Sequence, residues 1–457
     1  MINPGIFREY DIRGIVDKDL TDATVTLLAK GAATYFLNHQ CKTVTVGRDV
    51  RLSGKRFRDI VVNEFVNAGL HVIDLGEITS PMSYWSTFKL PVDGAIMITA
   101  SHNPADYNGF KISVGTNSIY GSRIQDLLKL IQSGQFKTGK GSVVEKNIKP
   151  EYMADIVSRI KLGRKMKVVT DCANATGGLI APEFYRAIGC EVIELYTEPD
   201  GRFPNHHPDP TVDKYLVDLI AKVKETSADM GIGFDGDSDR IGVVDNLGRV
   251  IRGDALLAIL SRDVLKRNPG SEIVFDVKCS QGLIEDIEAH GGKPVMWKTG
   301  HSLIKNKMKD INGLIAGEMS GHLFIADNYY GFDDAIFDGA RVIELVSHSK
   351  EPLSVHHDQF PKYFSTPETR LDVANDDIKF KMVEQAVTFF KANHQVIDID
   401  GVRVQFGDGW GLIRASNTQP VIVVRFEART PERRDEIKDF MLNKLAEYGE
   451  FHEGHGH

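Results

Sequence analysis

The chain has 457 residues, which at the usual ~100–200 residues per domain is enough for about three or four domains. Its composition, 42% apolar and 26% charged residues, is that of an ordinary globular protein. The net charge of −8 argues against a nucleic-acid-binding protein, which needs a basic surface, but is compatible with a local basic pocket for a phosphorylated metabolite.

The sequence has features typical of a cytoplasmic protein. Residues 1–14 lack the apolar core of a secretory signal, and no apolar run approaches the ~20 residues of a membrane span. The four cysteines are scattered without a C-x-x-C pair, as is common for free thiols in a reducing compartment. We therefore expect a cytoplasmic location, without membrane or nucleic-acid partners.

Short β-branched runs alternate with helix-like stretches, which is the pattern of an α/β protein. The runs recur in the same order: a strand with a Gly-containing turn, a strand entered through Gly, and a strand that ends in a polar loop. This set occupies residues 44–104, 168–240 and 273–322. Although any α/β protein repeats strand and helix, the constant order predicts three similar α/β domains in tandem.

The remainder of the chain has a different pattern. A helix-like run at 376–394 is followed by strands, including VIVVRFEA, and by a final helix at 433–448, which together predict an α+β domain. The polar tail beyond Tyr448 is expected to be frayed. The predicted domains are 1–147, 148–250, 251–366 and 367–457.

Each α/β domain ends its last strand in a loop rich in functional groups, where ligands of such sheets bind. In T-A-S-H-N-P (99–104), Ser101 follows an apolar strand and stands beside His102. A serine at this position is placed for nucleophilic chemistry, although the same residue types are common in plain turns. Lys111, further along, would supply positive charge or take a proton.

The segment D-G-D-S-D-R (235–240) carries three carboxylates at alternate positions, which can converge on a hard cation such as Mg²⁺ or Ca²⁺. A solvated acidic turn is the simpler alternative. An EF-hand is excluded because Arg240 and Asn246 stand where it needs Gly and Glu. A haloacid-dehalogenase loop would fit Asp235 and Asp237 but normally has Thr or Val in place of Asp239.

Three further segments carry polar groups. G-E-M-S-G-H (317–322) offers a carboxylate, a hydroxyl and an imidazole, groups that suit sugar hydroxyls, although it also fits a glycine turn. R-A-S-N-T-Q-P (414–420) offers a planar fork and further donors for phosphate. The N-terminal F-R-E-Y-D-I-R-G (7–14) contributes two arginines, and the remaining candidates, which could equally be surface residues, are Lys278 and His301.

Together these motifs resemble the α-D-phosphohexomutases, most closely their bacterial phosphomannomutase/phosphoglucomutase branch. The resemblance extends from Phe7 to about Tyr448, with four motifs in the family's order. It implies four domains around a central cleft, three of them alike. It also implies Mg²⁺ and reversible phosphoryl transfer between O1 and O6 of a hexose phosphate, through phosphoserine and a hexose 1,6-bisphosphate that serves as activator and intermediate.

The resemblance also assigns roles residue by residue. The implied catalytic residues are Ser101, His102, Lys111, Arg240 and His301, with Lys111 and His301 as alternative bases. The implied metal ligands are Asp235, Asp237, Asp239 and the phosphate of Ser101. The implied substrate-binding residues are Tyr10, Arg13, Lys278, Glu318, Ser320, His322, Arg414, Ser416, Asn417 and Thr418. A fourth domain that closes over the substrate would keep water from the phosphoserine.

The preferred sugar is open at this point. In the family, Glu318 and Ser320 correspond to residues that bind O3 and O4, where glucose and mannose are identical. Met319 stands where the glucosamine-phosphate branch usually has Gln. The alternatives are a phosphoglucosamine mutase, a serine-dependent sugar phosphatase and a non-catalytic sugar-phosphate-binding protein. The sequence does not fix the oligomeric state.

Overall fold

The computed structural model describes residues 2–416 and 421–454, so Asn417 and Thr418 lie outside the described residues. The chain divides into two compact units. Unit 1 comprises Met1–Leu256 and Ser320–His357, and unit 2 comprises Leu257–Met319 and Asp358–His457. In the described part of the chain, no helix combines the length and apolar character needed to cross a membrane.

The N-terminal segment forms a mixed sheet with helices. Its elements are a 3-10 helix (Pro4–Ile6), β1 (Ile12–Ile15), α1 (Asp22–Asn38), β2 (Thr43–Arg48), α2 (Gly54–Ala68), β3 (His71–Glu77), α3 (Ser80–Lys89), β4 (Gly94–Ile98), β5 (Tyr107–Val114), β6 (Asn117–Ser118), α4 (Ser122–Ser133) and β7 (Ser142–Glu145). The sheet order is β1-β5-β4-β2-β3-β7, with β6 beside β5. Strands β2, β3 and β4 run parallel, and all five residues of β4 are buried. The chain therefore reaches Ser101 from the carboxyl end of a fully buried strand.

The next segment repeats this plan. It contains α5 (Lys149–Ser158), β8 (Lys167–Asp171), α6 (Ala181–Ala187), β9 (Glu191–Leu195), α7 (Val217–Thr226), β10 (Met230–Phe234), β11 (Ile241–Asp245) and β12 (Val250–Ile251), with 3-10 turns at Thr176–Leu179 and Asp213–Tyr215. The sheet order is β12-β11-β10-β8-β9. Strand β10 is parallel to β8 but antiparallel to β11, so the acidic loop 235–240 joins two fully buried, paired strands.

The third segment contributes to both units. It contains α8 (Gly253–Arg267), β13 (Glu272–Asp276), α9 (Gln281–Ala289), β14 (Lys293–Trp297), α10 (His301–Asp310), β15 (Ile315–Gly317), β16 (Leu323–Ile325), α11 (Ala335–Ser347) and α12 (Leu353–Asp358). In unit 2, β13 pairs in parallel with β14 and β15. Helix α11 belongs to unit 1, where it packs on β10 and β11 behind the acidic loop.

The C-terminal segment is an antiparallel sheet covered by two helices. It contains β17 (Phe364–Ser365), β18 (Thr369–Asp372), α13 (Asp376–Asn393), β19 (Gln395–Ile397), β20 (Val402–Gln405), β21 (Gly409–Ala415), β22 (Val421–Ala428), α14 (Pro431–Ala446) and β23 (His452–Glu453). The sheet order is β19-β20-β21-β22-β18-β23, with β17 beside β22. Residues 452–453 pair with 371–372 in β18, so the expectation that the whole tail is frayed is wrong at these two residues.

The predicted fold class is confirmed: three α/β segments precede an α+β domain. The predicted free thiols are also present, since all four cysteines are buried and without disulfides.

Candidate active site

The loop that carries Ser101 leaves β4 with an unusual backbone. Ser101 has φ +50°, a left-handed conformation that non-glycine residues seldom adopt. Its N–H donates to Thr99 Oγ1 at 2.9 Å. Its Oγ lies 2.6 Å from Asp235 Oδ2 and 3.1 Å from His102 Nδ1. The serine hydroxyl is therefore buried and directed at the first carboxylate of the acidic loop.

The predicted metal ligands come together. One oxygen from each of Asp235, Asp237 and Asp239 lies within 4.8 Å of the others, and all three residues are buried. Within the described residues, the Oδ1 atoms of Asp237 and Asp239 are buried without a hydrogen-bond partner. Unpartnered carboxylate oxygens are costly to bury, and a hard divalent cation would satisfy them. The donor set therefore fits a hard divalent metal ion.

The acidic loop is held by its own backbone and by its neighbours. Asp235 Oδ1 accepts from the backbone N–H groups of Asp239 and Arg240, at 3.1 and 3.2 Å. Ser80, the first residue of α3, donates from Oγ to Asp237 Oδ2 at 2.5 Å and from its N–H to the Asp237 carbonyl. Thr176 Oγ1 donates to the Gly236 carbonyl at 3.1 Å. Hydrogen bonds from protein groups alone therefore fix the carboxylates of Asp235 and Asp237.

Lys111 on β5 reaches the same carboxylates. Its Nζ lies 2.6 Å from Asp237 Oδ2 and 2.5 Å from Asp239 Oδ2. Burial disfavours the ammonium, but the two carboxylates raise the pKa of Lys111 well above its ordinary value. Burial, followed by the charges of Asp237 and Asp239, raises the pKa of Asp235. The site therefore holds a fixed ammonium, and the neighbouring Asp235 carboxyl resists ionisation.

Of the other predicted residues, Arg13 contacts the Ser101 loop, His102 lies within it and Tyr10 precedes β1. Arg13 on β1 donates to Asn103 Oδ1 at 2.5 Å and to Asp11 Oδ2 at 2.7 Å. Burial, followed by the charge of Arg240, lowers the pKa of His102 well below its ordinary value, so His102 is neutral. Tyr10 is partly buried in the turn before β1.

The G-E-M-S-G-H segment brings an imidazole to the acidic loop. Arg240 Nε donates to His322 Nε2 at 3.0 Å, and His322 Nδ1 lies 3.1 Å from Asp333 Oδ2. This geometry assigns the proton to Nδ1, with a carboxylate behind the ring. Gly321, next to Ser320, accepts from the Ile241 N–H at 3.0 Å and so ties the segment to β11.

Asp333 is a further candidate residue, which no sequence motif indicated. Its only signal was the Asp-Asp pair at 333–334, which reads as the start of a helix, and Asp334 does cap α11. The role of Asp333 depends on a residue eleven positions earlier in an unrelated loop, which no local pattern reveals.

A second group of predicted residues lies in unit 2. Lys278 Nζ lies 3.0 Å from Glu368 Oε2 and 3.7 Å from Asp276 Oδ2. Glu318 Oε1 accepts from the Gly300 N–H at 2.6 Å, at the start of the helix that begins with His301. Burial, together with the charge of Asp276, raises the pKa of Glu318 to about 7. The attraction of Lys278 lowers the pKa of Glu368 to about 2.

The phosphate-loop candidates are anchored in the same unit. Arg414 lies in β21, and its Nε donates to Asp400 Oδ2 at 3.0 Å. The same oxygen accepts from the Thr299 N–H at 3.0 Å. Buried Lys379 donates to the Ser416 carbonyl at 2.7 Å. Hydrogen bonds therefore fix Arg414 and Ser416 in the described part of the predicted cradle.

Comparison with known proteins identifies the family. Phosphoglucomutase/phosphomannomutase alpha/beta/alpha domains I, II and III match residues 4–137, 150–248 and 252–363, and the C-terminal domain of the same family matches 368–444. The chain therefore belongs to the phosphoglucomutase/phosphomannomutase family, as the motifs predicted.

Individual relatives agree with this assignment. The chain is 46% identical over 443 residues to a phosphomannomutase/phosphoglucomutase of Pseudomonas putida, covering 96% of this chain and 95% of that protein. It is 42% identical over 438 residues to a phosphoglucomutase of Neisseria meningitidis serogroup A, covering 95% of each. A crystal structure of a phosphoglucomutase/phosphomannomutase family protein from Burkholderia thailandensis superposes with a TM-score of 0.93 at 40% identity, covering 98% of both chains.

Proposed function

We propose that this protein interconverts the 1- and 6-phosphates of glucose and mannose by carrying a phosphoryl group on Ser101. The observation that carries the proposal is the 2.6 Å contact between Ser101 Oγ and Asp235 Oδ2, in a loop whose three buried carboxylates fit a divalent cation. Phosphoryl transfer needs little covalent chemistry from the protein beyond positioning and charge stabilisation, which this arrangement supplies.

Mg²⁺ would be held by Asp235, Asp237, Asp239 and an oxygen of phosphorylated Ser101, and when bound it would offset the charge of the transferring group. The protein adds fixed positive groups around the same place: Lys111, Arg13 and Arg240. The sugar oxygen forms a bond to phosphorus as the bond between phosphorus and Ser101 Oγ breaks, the hydroxyl proton passes to a base, and Oγ takes up a proton to restore the serine hydroxyl. Transfer of the other phosphate back to Ser101 from the 1,6-bisphosphate completes the exchange.

The geometry of unit 1 favours His322 as the base over Lys111. Lys111 is held as an ammonium by two carboxylates and is a poor proton acceptor. The Nδ1 of His322 faces Asp333, which would stabilise the imidazolium, and Nε2 would take the proton once the hydrogen bond that Arg240 Nε donates to it is released. His301, in unit 2, is retained as a candidate. A large fall in kcat for His322→Gln, with a small fall for His301→Gln, would support this choice, and the reverse would select His301.

Unit 2 carries its own groups that suit a sugar phosphate. Glu318 can accept hydrogen bonds from sugar hydroxyls. Lys278, Arg414 and Ser416 offer charge and donors to the phosphate that is not being transferred. None of these motifs contains a group assigned to C2, where glucose and mannose differ. We therefore expect both 1-phosphates to turn over with kcat/KM values within roughly a hundredfold, and the bulkier N-acetylglucosamine phosphate to be poorer.

One assay separates the alternatives. The protein is incubated with Mg²⁺, glucose 1-phosphate and a trace of glucose 1,6-bisphosphate. Glucose 6-phosphate is expected, free phosphate would indicate a phosphatase, and the absence of turnover would indicate a binding protein. Mass spectrometry after treatment with the bisphosphate should find the phosphate on Ser101. A hydroxylamine-labile phosphate on Asp235 would instead support haloacid-dehalogenase chemistry.

A further inference from the structure

Arg51, which follows β2, makes an extensive set of contacts with the Ser101 loop. The residue is only 1% exposed. Its guanidinium donates to four backbone carbonyl oxygens, those of Ser101 (2.9 Å), Asn103 (2.5 Å), Pro104 (2.5 Å) and Tyr107 (2.9 Å). Its Nε donates to Asp49 Oδ2 at 3.2 Å. All five N–H donors of the side chain are therefore used, four of them on residues 101–107.

These hydrogen bonds act on a backbone that needs support. The left-handed conformation of Ser101 persists only where the surroundings enforce it. The Ser101 carbonyl is fixed from two sides: Arg51 donates to it, and Gly236 of the acidic loop packs so closely that an added Cβ would lie 2.1 Å from the oxygen. Because the carbonyl carbon and the side chain of Ser101 are attached to the same Cα, the contacts that fix the carbonyl also direct Oγ toward Asp235.

A second loop closes over the guanidinium. The Phe203 ring centroid lies 5.3 Å from Arg51 Cζ, which places a cation against an aromatic face. Gly201 approaches the Val50 carbonyl so closely that a Cβ would lie 2.4 Å from it. His207, in the same loop, lies close to His102. This loop carries none of the sequence motifs, and its Phe203 covers the buried guanidinium of Arg51.

We propose that Arg51 is a positioning residue for phosphoryl transfer, which holds Ser101 Oγ in line with the acidic loop. The inference rests on the proposed role of Ser101 as phosphoryl carrier. None of the Arg51 donors is left over for substrate, so its effect passes through the Ser101 loop alone. Its loss should therefore lower kcat and the rate at which Ser101 takes up phosphate, with little change in KM.

Lysine is not an adequate substitute at this position. A lysine has three donors on one nitrogen, whereas the planar guanidinium spreads five donors over three nitrogens. Arg51→Lys keeps the charge but must leave at least one of the four loop carbonyls without a buried donor. A misplacement of reacting groups of about 1 Å costs on the order of a hundredfold in rate, and this is the fall in kcat that we expect for Arg51→Lys.

The test compares wild-type protein with Arg51→Lys, Arg51→Ala and the control Arg56→Ala. Arg56 is 41% exposed and pairs with Asp17 and Asp22. Arg56→Ala therefore shows the effect of losing an arginine that does not contact the Ser101 loop. The measurements are kcat and KM with glucose 1-phosphate, the rate of Ser101 phosphorylation by glucose 1,6-bisphosphate, and thermal unfolding. Millimolar guanidinium should restore kcat of Arg51→Ala about tenfold, since it supplies the missing fork, whereas urea should not.

The inference is overturned if folded Arg51→Lys keeps kcat and the phosphorylation rate within about twofold of wild type, or if KM carries the whole effect. If Arg51→Ala does not fold, Phe203→Leu replaces it, with an expected fall in kcat of about tenfold at unchanged KM. Unchanged kcat in both Arg51→Lys and Phe203→Leu also overturns the inference. If wild-type Ser101 takes up no phosphate, the proposed function fails instead.

Discussion

The substitution Gly236→Ala tests how closely the acidic loop must approach Ser101. An added Cβ would lie 2.1 Å from the backbone carbonyl oxygen of Ser101 and 3.0 Å from the carbonyl carbon. Real Cβ atoms essentially never come within 3.0 Å of a heavy atom to which they are not linked along the chain. The two loops must then separate by about 1 Å. Neither can move without loss, because the Ser101 carbonyl is bonded to Arg51 and the Gly236 carbonyl to Thr176.

The expected cost follows from that displacement. A shift of about 1 Å between reacting groups costs on the order of a hundredfold in kcat, which corresponds to about 2.7 kcal/mol in the barrier. Overpacking of this kind typically lowers the free energy of unfolding by about 1–3 kcal/mol. Glycine 236 is not among the residues with positive φ, so the effect is steric rather than conformational.

The assay is steady-state turnover of glucose 1-phosphate, with thermal unfolding measured on the same samples. Gly233→Ala, on β10, is the matched control, because its Cβ would meet only side-chain atoms at 3.4 Å or more. We expect kcat of Gly233→Ala to be close to wild type. If Gly236→Ala retains wild-type kcat, or if both variants lose activity equally, the close approach of the two loops is not required for catalysis.

Three further predictions concern charge. Asp237→Ala should lower kcat at least about a hundredfold with the circular dichroism spectrum unchanged, and EDTA should act likewise, reversibly with Mg²⁺; full activity in EDTA would contradict the metal assignment. The pKa of Glu318 is raised to about 7, so its carboxylate is protonated below that pH and loses acceptor strength. The value of kcat/KM should therefore rise between about pH 6 and 8 more steeply than in Glu318→Gln, where only the substrate phosphate titrates. Equal pH profiles would show that Glu318 does not bind the sugar. Glu368→Gln removes the charge of the partly exposed carboxylate that pairs with Lys278 and would compete with the substrate phosphate for it. The KM should therefore fall about two- to fivefold. A higher KM would show that Glu368 helps to bind substrate.

The sequence was sufficient to place the candidate nucleophile and the three candidate metal ligands in loops at strand ends, because such loops are local features. Ser101 follows the buried strand GAIMI, and the three aspartates alternate on one hairpin loop, so residue type and position indicated their chemistry before any contact was known. The repeated order of strands also predicted the three α/β domains.

What the sequence could not show are partners distant along the chain. The contact of Lys111 with Asp237 joins residues 126 positions apart, and that of Arg51 with Ser101 joins residues 50 apart. Each depends on which strands are neighbours in a sheet and on how two sheets meet, and neither is encoded in a local pattern. The same reason explains why Asp333 was missed and why Lys111 could be read as a base before its carboxylate partners were known.

The contacts of Lys111 indicate how the acidic loop can keep its conformation before a metal ion binds. Lys111 binds the Oδ2 atoms of Asp237 and Asp239, while the Oδ1 atoms of both residues are buried without a hydrogen-bond partner. The ammonium and a divalent cation would therefore use different oxygens of the same carboxylates, and binding one would not require release of the other. Because three buried carboxylates would otherwise repel one another, Lys111 stabilises the loop before a metal ion arrives. A preformed loop avoids reorganisation at the moment of transfer, which is where electrostatic catalysis gains most.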